Sequence, residues 1–210
     1  NEIISAEIKR QFHVVLPGGA TATNLPVVFL FHGKGGDILG ILNSTKMKQL
    51  AESEQFVLIT PRSARDEKGK RLFDIDWSLQ SLNNDMDNVD LVLFDDLLKC
   101  VGEVASIDKE RVYVTGMSGG GLMSTSLGAN RSKTIAAAAP FSGGYLGSWP
   151  KSQHKVPFLV GWGGKKDISN KQSFDQMAKD LLVMLKDNGH EHAACNHGQA
   201  HKWPKGATAL

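Results

Sequence analysis

Ser118 sits in the pentapeptide Gly116-Met117-Ser118-Gly119-Gly120, a G-x-S-x-G pattern. A serine hydroxyl is a weak nucleophile at neutral pH. It needs a base within reach and a further group that orients the base. The glycines have their own reason. Where a strand ends at the first and a helix begins after the second, the chain turns so sharply that side chains two before and two after the serine would collide. The turn lifts the hydroxyl above the sheet and leaves the N–H of Gly119 at a helix start, where negative charge is favoured. These residues point to acyl transfer: Ser118 attacks a carbonyl carbon, and the Gly119 N–H steadies the oxyanion that forms. The alternative for the same five residues is a glycine-rich loop with a capping serine.

In chains with this turn the order is serine, acid, histidine. Asp167 follows the apolar run "VPFLVGWGG" and is the favoured acid, although it also lies close to a helix start. Its rivals Asp175, Asp180 and Asp187 fall on or at the end of that helix. Five histidines follow the serine: His154, His190, His192, His197 and His201. The base belongs in the loop after the last strand, which leaves His197 and His201. His201, deeper in that loop and just before Trp203-Pro204, is preferred. A second oxyanion donor should come from the early loop "FHGKGGD", where the backbone N–H of Lys34 is the candidate. That loop lacks the G-x-x-x-x-G-K-[ST] spacing of a phosphate loop. The histidine-rich tail also admits a metal site, but its spacing is not H-E-x-x-H, and no metal or other cofactor is expected.

Elements able to hold these residues are legible. Apolar runs closed by glycine or proline mark strands at Gln11–Pro17, Pro26–Gly33, Phe56–Pro61, Arg111–Gly116, Thr134–Gly143 and Val156–Gly164, with a weak last strand at His192–His197. Helical spacing marks Ser44–Glu54, Asn88–Val104, Gly121–Asn130 and Gln172–Gly189. The alternation predicts an α/β fold, a mostly parallel sheet with helices on both faces, in a single catalytic domain over residues 1–210. In such sheets the chemistry gathers at the carboxyl ends of the strands. All four tryptophans (Trp77, Trp149, Trp162 and Trp203) fall in segments on that side, and at least two are expected to line the acyl or alcohol pocket. The long loop Arg62–Asp85, which carries Trp77, is the expected rim or lid.

Bulk composition excludes several classes. An apolar fraction of 41% in 210 residues supports a true core, and a formal charge of +2 without a dense basic block argues against nucleic acid. No apolar run is long enough to span a bilayer. The chain begins at Asn1 without Met, so a trimmed start and a secreted or periplasmic location are expected. Cys100 and Cys195 could pair, which spacing alone does not decide.

Together, "VVFLFHGKGGD", "RVYVTGMSGGGLMS", "APFSGGY" and "HKWP" resemble the polyhydroxybutyrate depolymerase and feruloyl esterase-like group of α/β-hydrolases. The resemblance runs from about Gln11 to Pro204. It implies a serine esterase with nucleophile Ser118, histidine His201, acid Asp167 and oxyanion donors Lys34 and Gly119. It also implies esters of short-chain, feruloyl or hydroxyalkanoate acyl groups, small or polymeric. The group's usual asparagine after the serine is replaced by Gly119, its usual glycine before the histidine by Ala200, and its frequent oxyanion-loop cysteine by Lys34. A peptidase or amidase with the same triad, and a non-catalytic binding protein on this fold, are the competing readings.

Overall fold

The computed structural model describes residues 1–18, 23–79, 88–151 and 154–206. Among the described residues ten strands run β1 (Glu2–Ser5), β2 (Ile8–Val15), β3 (Leu25–Phe31), β4 (Val57–Pro61), β5 (Ile107–Met117), β6 (Ile135–Phe141), β7 (Phe158–Trp162), β8 (Ile168–Ser169), β9 (Gln172–Ser173) and β10 (His192–Asn196). Five α-helices lie between them: α1 (Ile38–Thr45), α2 (Met47–Ser53), α3 (Val89–Val104), α4 (Gly119–Asn130) and α5 (Phe174–Asp187). Eight strands form one sheet in the order β1-β2-β4-β3-β5-β6-β7-β10. From β4 through to β10 every pairing is parallel, and only β1 and β2 run against their neighbours.

The period of two in β3 divides the core. Val27, Phe29 and Phe31 face α3, α4 and α5, whose Leu91, Phe94, Leu97, Met123, Leu127, Leu181 and Leu185 complete one apolar layer. Leu30 faces the other way and joins Ile41, Leu42, Met47 and Ala51 beneath α1 and α2. Helix α4 is buried all round, from Gly119 to Ala129, and so carries no polar face. Its buried hydroxyls donate back into the helix, Ser124 to Gly120 O at 2.8 Å and Thr125 to Gly121 O at 3.1 Å.

Local departures from the sequence reading have local causes. The helix expected at Ser44–Glu54 is two helices meeting at Lys46, whose φ of 56° is left-handed. The chain enters α1 earlier, with Asp37 accepting from Gly40 N–H at 2.7 Å as the cap. Strand β1 was not expected. It pairs with β2 through Ala6 and Glu7, both at positive φ, which is the turn a tight hairpin needs. The expected rim loop is described as far as Leu79, and its remainder lies outside the described residues.

Candidate active site

Strand β5 ends at Met117 and α4 begins at Gly119, so one residue makes the turn. Ser118 does so at φ 59° and ψ −120°, a strained conformation for a residue with a side chain. Its N–H donates to Phe141 O at 3.0 Å, tying the turn to β6. The flanking glycines are required by contact. A Cβ on Gly120 would lie 2.0 Å from Phe31 O, and one on Gly116 would lie 2.6 Å from both Phe31 O and Gly120 O.

Asp167 follows a short 3₁₀ turn (Gly164–Lys166) beyond β7, and it is fully buried. One carboxylate oxygen meets His201 Nδ1 at 2.6 Å. The other accepts from Ser142 Oγ and from the Gly163 N–H, each at 2.7 Å. Burial alone would raise this carboxyl, but the hydrogen bonds from His201, Gly163 and Ser142 outweigh it and hold the group below the ordinary aspartate value. A carboxylate only accepts, so the proton of His201 stands on Nδ1. In the neutral ring Nε2 is then a free lone pair. The ring packs on Phe174, centroids 4.5 Å apart, which limits its rotation.

The loop after β3 comes up beside Ser118. A Cβ on Gly33 would lie 3.2 Å from Ser118 Cβ, and one on Gly119 would lie 3.3 Å from the backbone nitrogen of Lys34. The backbone nitrogens of Lys34 and Gly119 thus belong to one corner of the site. Buried polar groups fix the loop. His32 lies between the Gly33 carbonyl on Nδ1, at 2.9 Å, and the Ser63 N–H on Nε2, at 3.2 Å. Nε2 must accept, so the ring is neutral, and burial lowers its pKa further. Asp76, fully buried, accepts from Gly35 N–H and from Ser63 Oγ and faces Arg65 and Arg71. Trp77 Nε1 donates to His32 O at 2.8 Å.

Ser118 stands where two pockets meet. One, of about 270 Å³, is walled by Ile75, Leu122, Leu146, Phe174 and Met177. The other, of about 230 Å³, is walled by Gly33, Ile41, Met117 and His201. Lys34, Ser169 and Asn170 line both. The structure therefore brings Ser118, Lys34, Gly119, Asp167 and His201 together.

The tryptophan expectation is corrected, because none of the four lines either pocket. Trp77 is buried edge-on against Phe31, and from the same loop it is Asp74 and Ile75 that reach the site. Trp149 meets Tyr145 at a tilt and Phe158 and His190 edge to face. Trp162 is buried and donates to Asp175 Oδ1 at 2.9 Å, while Trp203 packs on Phe141 in an apolar groove on the α1–α2 face. Large flat rings fill sheet-to-helix gaps, and following a strand does not make a residue point out of the fold.

His197 and the other tail histidines serve elsewhere. His190, for example, has Nδ1 against Val156 O at 2.8 Å and accepts from Trp149 Nε1–H on Nε2 at 3.2 Å. Among the described residues no group of three or more His, Cys, Asp or Glu side chains is placed to hold a metal ion. Cys100 and Cys195 are unpaired. Sequence reasoning missed Ser142 and Asp76. The "FSGG" after β6 was a usable signal for Ser142, whose positive φ of 44° turns its hydroxyl toward Asp167. For Asp76 nothing marked which acid of "FDIDW" would be buried.

A mostly parallel sheet with a strained serine between β5 and α4, and an acid and a histidine beyond β7 and β10, defines an α/β-hydrolase. The chain belongs to the esterase PHB depolymerase family, whose model it matches over residues 10–155. It is 28% identical over 171 residues to the bifunctional acetylxylan esterase/xylanase XynS20E of Neocallimastix patriciarum, covering 81% of this chain and 23% of that protein. The chain thus spans about a quarter of that relative's length. Among solved structures it is similar to sOPH, with a TM-score of 0.80 at 20% identity, covering 100% of this chain and 82% of that one. It is also similar to a ferulic acid esterase, with a TM-score of 0.69 at 14% identity over 97% and 90% of the two chains. A third is the S-formylglutathione hydrolase of Agrobacterium tumefaciens, with a TM-score of 0.71 at 13% identity over 94% and 85%. At these identities the structures speak for the fold.

Proposed function

We propose that residues 1–210 form one catalytic domain, a serine carboxylester hydrolase working through Ser118, His201 and Asp167. The observation that carries this reading is the His201–Asp167 contact, made by a buried carboxylate whose other oxygen is already saturated. It leaves a basic Nε2 on the wall that Ser118 shares. Ser118 Oγ bonds to the ester carbon as its proton passes to His201 Nε2. The carbonyl electron pair moves onto oxygen, where the N–H groups of Lys34 and Gly119 receive it. Collapse expels the alcohol oxygen, which takes the proton from Nε2. A water then repeats the sequence on the acyl-enzyme and frees the acid and Ser118. Asp167 stays ionised and holds the imidazolium.

The substrates supported are esters of compact acyl groups: short-chain, feruloyl or hydroxyalkanoate. Family membership and the similarity to an acetylxylan esterase support this range. Among the described residues no helix is long and apolar enough to cross a membrane. The test is hydrolysis of p-nitrophenyl acetate to octanoate, methyl ferulate and a hydroxybutyrate oligomer by wild type and Ser118→Ala, with fluorophosphonate labelling of both. A loss in kcat/KM of roughly a thousandfold or more, and loss of the label, are expected. A Ser118→Ala protein that keeps its rate sinks the proposal.

A further inference from the structure

We infer that the β8–β9 hairpin divides the cleft at Ser118 into an acyl compartment and an alcohol compartment, with Asn170 at its tip reading the alcohol. This rests on the serine-hydrolase reading above. The proton decides which side is which. His201 must return its proton to the departing oxygen, so the alcohol lies on the side that holds His201. That is the pocket with Gly33, Ile41 and Met117. The acyl group is left with the pocket walled by Ile75, Leu122, Leu146, Phe174 and Met177. Its volume of about 270 Å³ falls just below the roughly 300–1,000 Å³ of sites for drug-sized molecules, so the acyl group is compact. Ser169 and Asn170 line both pockets, which places the hairpin between them.

The wall is held at its turn and its base. Ile168 pairs with Ser173 and Ser169 with Gln172, and the turn residues Asn170 and Lys171 have φ of 50° and 64°. Two positive φ values in succession suit a two-residue hairpin turn. Its base is clamped where Phe174 N–H donates to Asp167 O at 2.9 Å, and where Ser173 Oγ caps α5 by accepting from Gln176 N–H at 3.2 Å. The wall therefore grows directly out of the acid and the helix whose Phe174 braces His201. Asn170 is exposed, and its Nδ2 lies 3.4 Å from Ser169 Oγ, a weak contact that leaves amide capacity for a ligand. Lys34, Ser169 and Asn170 give both pockets a polar edge, and on the His201 side they share the lining with Ile41 and Met117, suited to an alcohol that carries further hydroxyls.

Two substitutions test this. Asn170→Gly keeps a turn that needs positive φ and removes only the amide. Leu146→Trp narrows the acyl side from a position 42% exposed. Rates are compared as ratios within each protein, so any misfolded fraction cancels. Leu146→Trp should lower the octanoate-to-acetate ratio of kcat/KM for p-nitrophenyl esters by about tenfold or more, while the ranking of ethyl, glyceryl and hexosyl acetates stays within about twofold. Asn170→Gly should lower the hexosyl-to-ethyl acetate ratio by about tenfold and leave the acyl ratio within about twofold. Crossed effects, or rankings that do not move in either variant, overturn the partition. Ser118→Ala is run alongside. Activity that survives it removes the hydrolase reading and the partition with it, whereas Ser118-dependent activity with unmoved rankings removes the partition alone.

Discussion

At the scale of single residues, Asp167 is specified by what surrounds it. Gly163 N–H and Ser142 Oγ claim one oxygen, so only the other can face His201. In Asp167→Asn the amide must keep its oxygen toward Gly163 and turn its NH₂ toward His201. That forces the proton of the ring onto Nε2 and removes the base. The expected result is a loss of about 10⁴-fold in kcat with a much smaller change in KM, measured on the preferred p-nitrophenyl ester. Ser142→Ala leaves the carboxylate in place but strips one buried donor. It should lower stability by about 1–3 kcal/mol, read from urea unfolding at neutral pH.

At the scale of elements, the strand-turn-helix from β5 to α4 tolerates no side chain at its second glycine. Gly120 sits against the Phe31 carbonyl, which is backbone of β3 and cannot move aside. Gly120→Ala should therefore yield no soluble folded protein, judged by expression and circular dichroism, whereas Gly35→Ala, with open space around it, should fold with only the strain of its positive φ. The loop after β3 depends instead on charge. Asp76 anchors Gly35, next to Lys34, and is matched by Arg65 and Arg71. In Asp76→Asn the shape survives but the anchor weakens. On the proposed mechanism kcat should fall by roughly tenfold or more with little change in KM, because the Lys34 N–H is displaced from the oxyanion rather than from the bound ester.

For the whole molecule the consequence is acid sensitivity. His32 and His190 each use Nε2 to accept a hydrogen bond, from Ser63 N–H and Trp149 Nε1–H. Burial lowers the pKa of both rings. A lowered histidine pKa favours the unfolded chain once that chain takes up protons. The stability of these sites is thus complete above about pH 6.5 and drains away as pH falls below it. Asp167 is also lowered, so its contribution is lost only further down, below the ordinary aspartate range near 3.9. Thermal midpoints should therefore hold from pH 8 to about 6.5 and drop toward pH 5. His190→Gln should show a shallower drop than wild type, and an equal slope in the two would remove His190 from the account.

The sequence by itself determined most of the longer elements and the chain order of the candidate residues. Short apolar runs rich in Val, Ile and Phe and closed by glycine or proline read as buried strands, and a serine between two glycines where strand gives way to helix has few conformations open to it. Chain order after Ser118 then narrowed the acid and the base to one strand end and one loop. Tertiary structure decided which side chains share a space. Trp77 and Asp76 are neighbours in the chain, yet one fills the core and the other holds a backbone loop. Ser142 and Asp167 are 25 residues apart and touch only because β6 and β7 are adjacent strands. The β8–β9 hairpin is too short for a periodic signal, and its place beside Ser118 follows from the Phe174 N–H to Asp167 O bond that closes its base. Local pattern is written in the order of residues, whereas contact across a sheet depends on strand pairing, which no single segment encodes.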